Sequence, residues 1–258
     1  MPDFVQSVLF VGFVGLMLLL RVDAGRFGAA EWDDEEGDAR VFLTRITWYL
    51  AGLALALVVF VLHPQPVSQL NLVLAANRSE ALALGLIYAV GGSVAVFGLA
   101  ILTSGRLRFP RPGRYPGAVI SSVGTAFFDE FLFRGVLLGL LLGLGLPDWP
   151  SVAIAAVIYV GAIRAGTPGS GLVLLLVTLG IGVAGGALVL LTSGLGAGLL
   201  GHAATRFALF MAMGVPMPRT SAGPLPGDAQ VLAAGPRPWQ VPGEGDDGGE
   251  GIGPIRPA

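Results

Sequence analysis

The chain contains no cysteine and no lysine, and only two of its 258 residues are histidine. Without cysteine there is no disulfide, no thiol nucleophile and no thiolate metal site. The two histidines, His63 and His202, limit any imidazole-based metal site to two such ligands. These absences exclude cysteine chemistry and most of the usual zinc centres.

Charge is also scarce. Only 12% of the residues are charged, whereas soluble domains carry about 25%. Hydrophobic residues make up 54% of the chain, and the mean hydropathy is +0.77. The formal net charge of −2 gives no reason to expect nucleic acid binding. The composition therefore predicts an integral membrane protein whose main surroundings are lipid.

A helix needs about 20 mainly apolar residues to cross a bilayer. The sequence has enough such stretches to predict an all-α fold, a polytopic membrane helix bundle of about seven transmembrane helices. The predicted spans are 4–22, 42–62, 81–103, 117–146, 149–165, 170–192 and 195–214. They form a predicted membrane core over residues 1–214.

The arginines predict the orientation of this core. They concentrate in the first, third and fifth connections and in the C-terminal segment, and Arg78 alone lies in the alternate set. The positive-inside rule then predicts an external N-terminus and a cytoplasmic C-terminus. Residues 215–258 hold half of the eighteen prolines and the acidic run GEGDDGGEG, which predicts a disordered cytoplasmic tail.

Three charges lie inside the fourth predicted span, at Asp129, Glu130 and Arg134. Each ionised group at the bilayer centre costs roughly 2.5–3.5 kcal/mol on the insertion scale, so partners are expected. Glu130 and Arg134 are four residues apart and share one helical face, which allows them to pair. Asp129 is rotated by about 100° from Glu130. We therefore expect it to face another helix.

The last predicted span carries His202 and Arg206, which also lie four residues apart. If their face meets Asp129 and Glu130, the cluster has two carboxylates, two guanidinium groups and a neutral imidazole, with a formal charge of zero. Buried ion pairs sometimes only fix helix register. That reading stays open beside the functional one, although intramembrane ionisable residues are functional by default.

The run Asp129-Glu130-Phe131-Leu132-Phe133-Arg134-Gly135 resembles the EExxxR motif of the CPBP family, the CAAX prenyl proteases and bacteriocin-processing enzymes. The stretch from Thr192 to His202 resembles the family's HxxxN motif and the residues that precede it. The resemblance covers about residues 115–210. It implies a mostly helical intramembrane endopeptidase of a bacterial or archaeal cell membrane, acting on a membrane-associated, prenylated or bacteriocin-like peptide.

The resemblance also implies roles for individual residues. Asp129 would be the activating carboxylate, with Glu130 as its companion, and Arg134 would orient both. His202 would polarise the scissile carbonyl or bind a metal, and Arg206 would assist it. We expect no cofactor: the resemblance admits a zinc ion, but Glu130 and His202 are only weak candidate ligands and the set looks incomplete.

Three positions depart from the family pattern. Asp129 replaces a glutamate, and Arg206 stands where the family has asparagine or aspartate. The FxxxH motif aligns best with Tyr159 to Ile163, so that an isoleucine stands at the histidine position. Three hypotheses follow: an active endopeptidase, a catalytically silent relative that acts as a membrane scaffold or binding protein, and a transporter or channel.

The fourth predicted span is too long for a simple crossing. If it were wholly helical it would measure about 45 Å, against a hydrocarbon core of about 30 Å. We therefore expect a bend or break near Gly135, or an extension into the cytoplasm. Small-residue pairs predict close helix packing, at Gly139/Gly143, Gly182/Gly186 and Gly194/Gly198.

Overall fold

Long apolar runs separated by short polar connections fold as helices, because a lipid-facing backbone must satisfy its own hydrogen bonds. The computed structural model describes residues 2–24, 39–104, 115–166 and 171–213, and within these ranges every regular element is helical. The helices are α1 (Pro2–Val22), α2 (Ala39–Leu62), α3 (Pro66–Gln69), α4 (Arg78–Ser104), α5 (Tyr115–Asp129), a π-helical segment (Glu130–Leu137), α6 (Leu138–Gly143), α7 (Asp148–Gly166), α8 (Leu172–Thr192) and α9 (Gly196–Met213).

The predicted all-α membrane bundle is confirmed. Five of the described helices are long and apolar enough to cross a bilayer, namely α1, α2, α4, α7 and α8. The other two predicted spans correspond to the composite helix α5–α6 and to α9, which carry the intramembrane charges. The apolar side chains of α4 that face outward, such as Leu86, Ile87 and Val94, provide a lipid-facing surface. The protein is therefore an integral membrane protein.

Two predictions concern parts of the chain that lie wholly or partly outside the described residues. The predicted tail 215–258 lies outside the described residues. The orientation of the termini stays a prediction, because two of the arginine-rich connections and the tail also lie outside them. The described helices all belong to one compact unit, Met1–Thr220.

The expected irregularity near Gly135 takes the form of a change in helix type. The chain runs from Tyr115 to Gly143 without leaving the helical conformation, but Glu130–Leu137 is π-helical. The carbonyl oxygen of Gly135 accepts a hydrogen bond from the Asn71 backbone N–H at 3.3 Å. Single π-helical turns inside α-helices occur frequently at functional sites. The π-helical segment Glu130–Leu137, called the π turn below, begins at the charged residue Glu130.

A non-helical segment, Leu70–Asn77, packs across this π turn and reaches the junction between α8 and α9. The backbone N–H groups of Leu195 and Gly196 donate to the carbonyls of Val73 and Leu74, at 2.8 and 2.6 Å. These bonds satisfy backbone groups that lipid could not satisfy, which is the condition for irregular chain at membrane depth. The predicted small residues allow the close approach.

Gly194→Ala tests this approach. An added Cβ would lie 2.6 Å from the backbone carbon and oxygen of Leu74, so the segment itself must move. We expect a loss of about 1–3 kcal/mol of unfolding free energy, the usual range for overpacking, measured by thermal unfolding in detergent. Gly161→Ala is the matched control because nothing lies within 4 Å of its added Cβ. Equal stability of the two variants would contradict the prediction.

The pair Gly182/Gly186 brings α8 against α7, as the small-residue pattern predicts. Added Cβ atoms at these positions would lie 2.9 Å from Ala156 and 2.8 Å from Val152. The buried core then joins α1, α2, the π turn, α6, α7 and α8, with Phe133, Leu137 and Tyr159 near its centre. The charged residues of the π turn are therefore held by helices on every side.

Candidate intramembrane active site

Asp129, the last residue of α5, is fully buried and bonds to three other helices. Its Oδ1 forms an ion pair with the guanidinium group of Arg21 in α1. Its Oδ2 accepts a hydrogen bond from the hydroxyl of Tyr159 at 3.0 Å and lies 3.3 Å from Nη1 of Arg206. The prediction that Asp129 faces away from its own helix is confirmed, and its two main partners from outside α9 are Arg21 and Tyr159.

Glu130 lies on the adjacent face and meets a different set of groups. Its Oε1 is 2.8 Å from Nδ1 of His202, and both side chains are buried, at 1% and 0% exposure. When the carboxylate is ionised, His202 donates from Nδ1 and its Nε2 carries the free lone pair. The sequence prediction that the His202 face meets the carboxylates is confirmed.

Arg134 pairs with Glu130 along the helix, with Nη1 and Oε1 3.5 Å apart. Its Nη2 donates to the carbonyl of Ile181 at 3.0 Å, and its guanidinium carbon lies 4.4 Å from the centre of the Tyr159 ring. The predicted intrahelical pair is therefore present. The guanidinium group is held by α8 and α7 as well, which fixes its position against the carboxylate.

The five residues predicted for the site all converge, and a sixth charged residue joins them. Arg21 was read from the sequence as an orientation signal, yet it joins the cluster through Asp129. Within the described part of the chain, three guanidinium groups therefore face two carboxylates. The prediction of zero formal charge holds for the five residues that it counted, but it left out Arg21, which comes from a third helix.

Several polar atoms beside Glu130 have no hydrogen-bond partner within the described part of the chain. They are Glu130 Oε2, His202 Nε2, Arg134 Nη1 and the hydroxyl of Tyr88. Tyr88 belongs to α4, and its ring packs against Gly201, the neighbour of His202. Buried polar atoms are paired in nearly all proteins, so those left over in a site call for a functional explanation.

A cavity of about 90 Å³ adjoins Glu130. Its other described lining residues are all apolar and include Leu72, Leu74 and Leu199. Phe127 also lines it and is 45% exposed, so the cavity extends towards the lipid-facing surface. Glu130 is therefore the charged group that an apolar chain entering this cavity would meet.

Gly185 and Gly198 form the floor under Glu130. An added Cβ at Gly198 would lie 2.7 Å from Glu130 Oε2, and one at Gly185 would lie 3.1 Å from the same oxygen. The carboxylate thus fits between two helices only because neither has a side chain there. In the predicted pair, Gly194 consequently makes room for the backbone of Leu74, and Gly198 makes room for the carboxylate of Glu130.

Gly198→Ala should displace the Glu130 carboxylate while leaving the helices in place, since the flexible end of a side chain can move. We expect kcat for peptide hydrolysis to fall about 10²-fold, as misplacement by about 1 Å can cause, with a small change in thermal stability. Gly91→Ala on α4, where nothing lies within 4 Å, is the control. Unchanged kcat in Gly198→Ala would contradict this role for the glycine.

The residues aligned with the FxxxH motif lie on α7. Tyr159 is buried and donates to Asp129, whereas Ile163, at the histidine position, is buried in the apolar core. The phenol of Tyr159 is a site residue that sequence reasoning mentioned only as part of a degenerate motif. The feature that could have indicated this role is the hydroxyl of Tyr159, which lies one helical turn before Ile163 on the same face of α7.

The donor set does not fit a zinc ion. Among the described residues no three histidine or carboxylate side chains are arranged to hold a metal. The carboxylate of Asp129 already contacts two arginines and a tyrosine. Glu130 and His202 would then be the two remaining candidate ligands, whereas zinc sites have three or four protein ligands. The nearby guanidinium groups would also repel a divalent cation.

Comparison with known proteins gives one family match. Residues 112–208 match the family model described as Type II CAAX prenyl endopeptidase Rce1-like. This part of the chain is therefore similar to the Rce1-like family. The resemblance to CPBP intramembrane proteases is therefore confirmed at the level of the family. No curated protein and no solved structure matched the chain.

The Rce1-like region contains most of the cluster but not all of it. It covers α5, the π turn, α7 and the part of α9 that carries His202 and Arg206. Arg21 and Tyr88 come from helices that precede it. At the level of the family, the match supports a CAAX-protease-like intramembrane endopeptidase in a lipid environment.

Proposed function

We propose that the protein hydrolyses a peptide bond of a membrane-associated peptide, and that Glu130 and His202 form its reactive pair. The observation that carries the proposal is the buried Glu130–His202 bond beside an apolar cavity, with Glu130 Oε2 left unpartnered among the described residues. The apolar lining and the Rce1-like match favour a prenylated or similarly lipophilic peptide as substrate.

In the proposed reaction Glu130 acts as the general base. Its Oε2 accepts a proton from water while the water oxygen attacks the carbonyl carbon of the scissile bond. When the C–N bond of the tetrahedral intermediate breaks, Glu130 returns this proton to the leaving amine nitrogen. His202 donates from Nδ1 to Oε1 and so holds the carboxylate, which leaves Oε2 as the oxygen that accepts the proton.

The surrounding charges suit the transition state of such a reaction. Acyl transfer develops negative charge on the carbonyl oxygen, and fixed positive groups in a water-poor site stabilise it strongly. The guanidinium groups of Arg134, which pairs with Glu130, and of Arg206, which contacts the adjacent Asp129, would provide this positive potential.

The two carboxylates have different roles in this proposal. Family resemblance gives water activation to the first of them, Asp129. The contacts favour Glu130 instead, because both oxygens of Asp129 already bond to Arg21, Tyr159 and Arg206. A carboxylate held by two guanidinium groups is a poor proton acceptor. We therefore assign Asp129 to the support of the site.

A catalytically silent relative is the second candidate. The buried Ile163, where the family's second motif has histidine, favours it, since isoleucine can neither take a proton nor donate a hydrogen bond through its side chain. In this case the same cavity would bind a lipophilic peptide without cutting it.

The test uses the purified full chain in liposomes with a quenched peptide that ends in a farnesylated Cys-aliphatic-aliphatic-X sequence, and the same peptide without the prenyl group. We expect a new terminus, identified by mass spectrometry, that depends on the wild-type protein and is absent with Glu130→Ala. His63→Ala is the matched control. Binding of the peptide without any cleavage by the wild-type protein would support the silent relative instead.

A further inference from the structure

Arg21 is a guanidinium group buried at the end of the first helix, far in sequence from the Rce1-like region. It is 3% exposed and pairs with Asp129, which is 0% exposed. Burial of an unpaired charge is very unfavourable. The contacts that accompany this pair therefore indicate what Arg21 contributes to the site.

Three aromatic rings surround the guanidinium group. Its carbon lies 5.1 Å from the ring centre of Trp48, 5.6 Å from that of Phe128 and 5.7 Å from that of Phe133. Desolvated cation–π contacts of this kind are attractive and stabilise the buried guanidinium group. The indole of Trp48 is fixed in turn by its N–H bond to the carbonyl of Leu20 at 2.9 Å. The guanidinium group of Arg21 is therefore surrounded by side chains of α2, α5 and the π turn.

The carboxylate that Arg21 holds is the immediate neighbour of Glu130. Asp129 ends α5 and Glu130 begins the π turn, so the rotation of the chain at Asp129 sets the direction in which Glu130 points. Tyr159 and Arg206 hold the other oxygen of Asp129. Bonds to three different helices thus determine one rotation angle, and α1 supplies the ion pair to Oδ1.

We infer that Arg21 is a positioning residue for the reaction: through Asp129 it holds the π turn at the rotation that brings Glu130 onto His202. The first helix is then part of the active site and not only a membrane anchor. The kinetic half of this inference rests on the proposed peptidase function, whereas the structural half concerns the Glu130–His202 bond and is measured without a substrate.

The structural test is imidazole ¹⁵N NMR of the full chain in detergent micelles. Only His63 and His202 contribute signals, so each is assigned by one substitution. We expect Arg21→Leu to shift the His202 signals and to leave those of His63 in place. The double variant Arg21→Leu/Asp129→Asn removes both charges of the pair, and it should return the His202 signals towards the wild-type positions. Unchanged His202 signals in Arg21→Leu would overturn the inference.

The kinetic test uses the quenched farnesylated peptide. For Arg21→Leu we expect kcat to fall about 10²-fold, as for other displaced catalytic groups, while KM stays within about threefold. Arg21→Lys keeps the charge and should recover part of the loss, and the double variant should recover more than Arg21→Leu. Arg78→Leu, at an exposed arginine of α4, is the control.

The possible failures are distinguishable. Full kcat in Arg21→Leu, or a double variant as slow as Arg21→Leu, contradicts the positioning role while leaving the peptidase proposal intact. If the wild-type protein cleaves neither peptide, the proposed function fails, and the NMR comparison still decides whether Arg21 holds the Glu130–His202 pair.

Discussion

Glu130→Gln is expected to lower kcat for peptide hydrolysis by about 10³-fold, within the 10²–10⁴ range that a general base contributes. Glutamine keeps the size of the side chain and an oxygen that can accept from His202 Nδ1, but it cannot take a proton from water. Because the 2.8 Å contact with His202 can persist, the variant should fold and should bind peptide with a similar KM.

The comparison variant is Asp129→Asn, which changes the neighbouring carboxylate in the same way. Its remaining carbonyl oxygen can still accept from Arg21, which keeps the contact that positions the π turn. We therefore expect kcat within about tenfold of the wild type and a loss of thermal stability. Initial rates at several peptide concentrations, normalised to folded protein, separate kcat from KM. If Asp129→Asn were as slow as Glu130→Gln while still folded, Asp129 would have to take part in the chemistry.

The bundle and the pairing of its charges were predictable because each depends on short-range patterns. Apolar runs of bilayer length predict membrane helices, and the four-residue spacing predicts the Glu130–Arg134 pair. The same spacing puts His202 and Arg206 on one face, which meets the carboxylates as expected. A charge in an apolar helix needs a partner, and the face of α9 with His202 and Arg206 supplies partners for both carboxylates.

Arg21 and Tyr159 were not predictable as partners of Asp129. They lie 108 and 30 residues from it in sequence, and no periodicity links α1 or α7 to the π turn. An arginine at the end of an apolar run also has an ordinary explanation, since it marks a membrane boundary. Only the packing of three helices against Asp129 shows that Arg21 is a partner of this carboxylate and not only an arginine at a membrane boundary.

The non-helical segment Leu70–Asn77 escaped prediction for a different reason. Its sequence, with its Leu, Val and Ala residues, resembles the end of a span, and nothing in it predicts the bonds from Leu195 and Gly196 to Val73 and Leu74. The segment is stable only because glycines on the facing helices leave room for its backbone. Glycine pairs predict a close approach but do not say whether a helix or a loop makes it.

Asp129→Leu is the substitution with the largest expected effect on stability. It removes from the interior the carboxylate that pairs with Arg21 and that also lies 3.3 Å from Nη1 of Arg206. Breaking a buried ion pair by removing one partner costs about 3–5 kcal/mol, because the remaining charge is desolvated and unpaired. We expect a loss of that size, measured by thermal unfolding and by titration with SDS.

Two matched variants separate the unpaired charge from a change of packing. Asp129→Asn keeps an acceptor and should lose less than Asp129→Leu. The double variant Asp129→Leu/Arg21→Met replaces the pair with apolar groups, which Trp48, Phe128 and Phe133 can surround. It should regain part of the loss because buried ion pairs can be exchanged for well-packed apolar residues.

Equal stability of Asp129→Leu and the wild type would mean that the ion pairs contribute no net stability. Failure of the double variant to improve on Asp129→Leu would instead show that the contacts of Asp129 with Tyr159 and Arg206 matter more to stability than its ion pair with Arg21. The order of the unfolding free energies of Asp129→Leu, Asp129→Asn and the double variant therefore shows, without any activity measurement, how much Asp129 stabilises the fold through its charge.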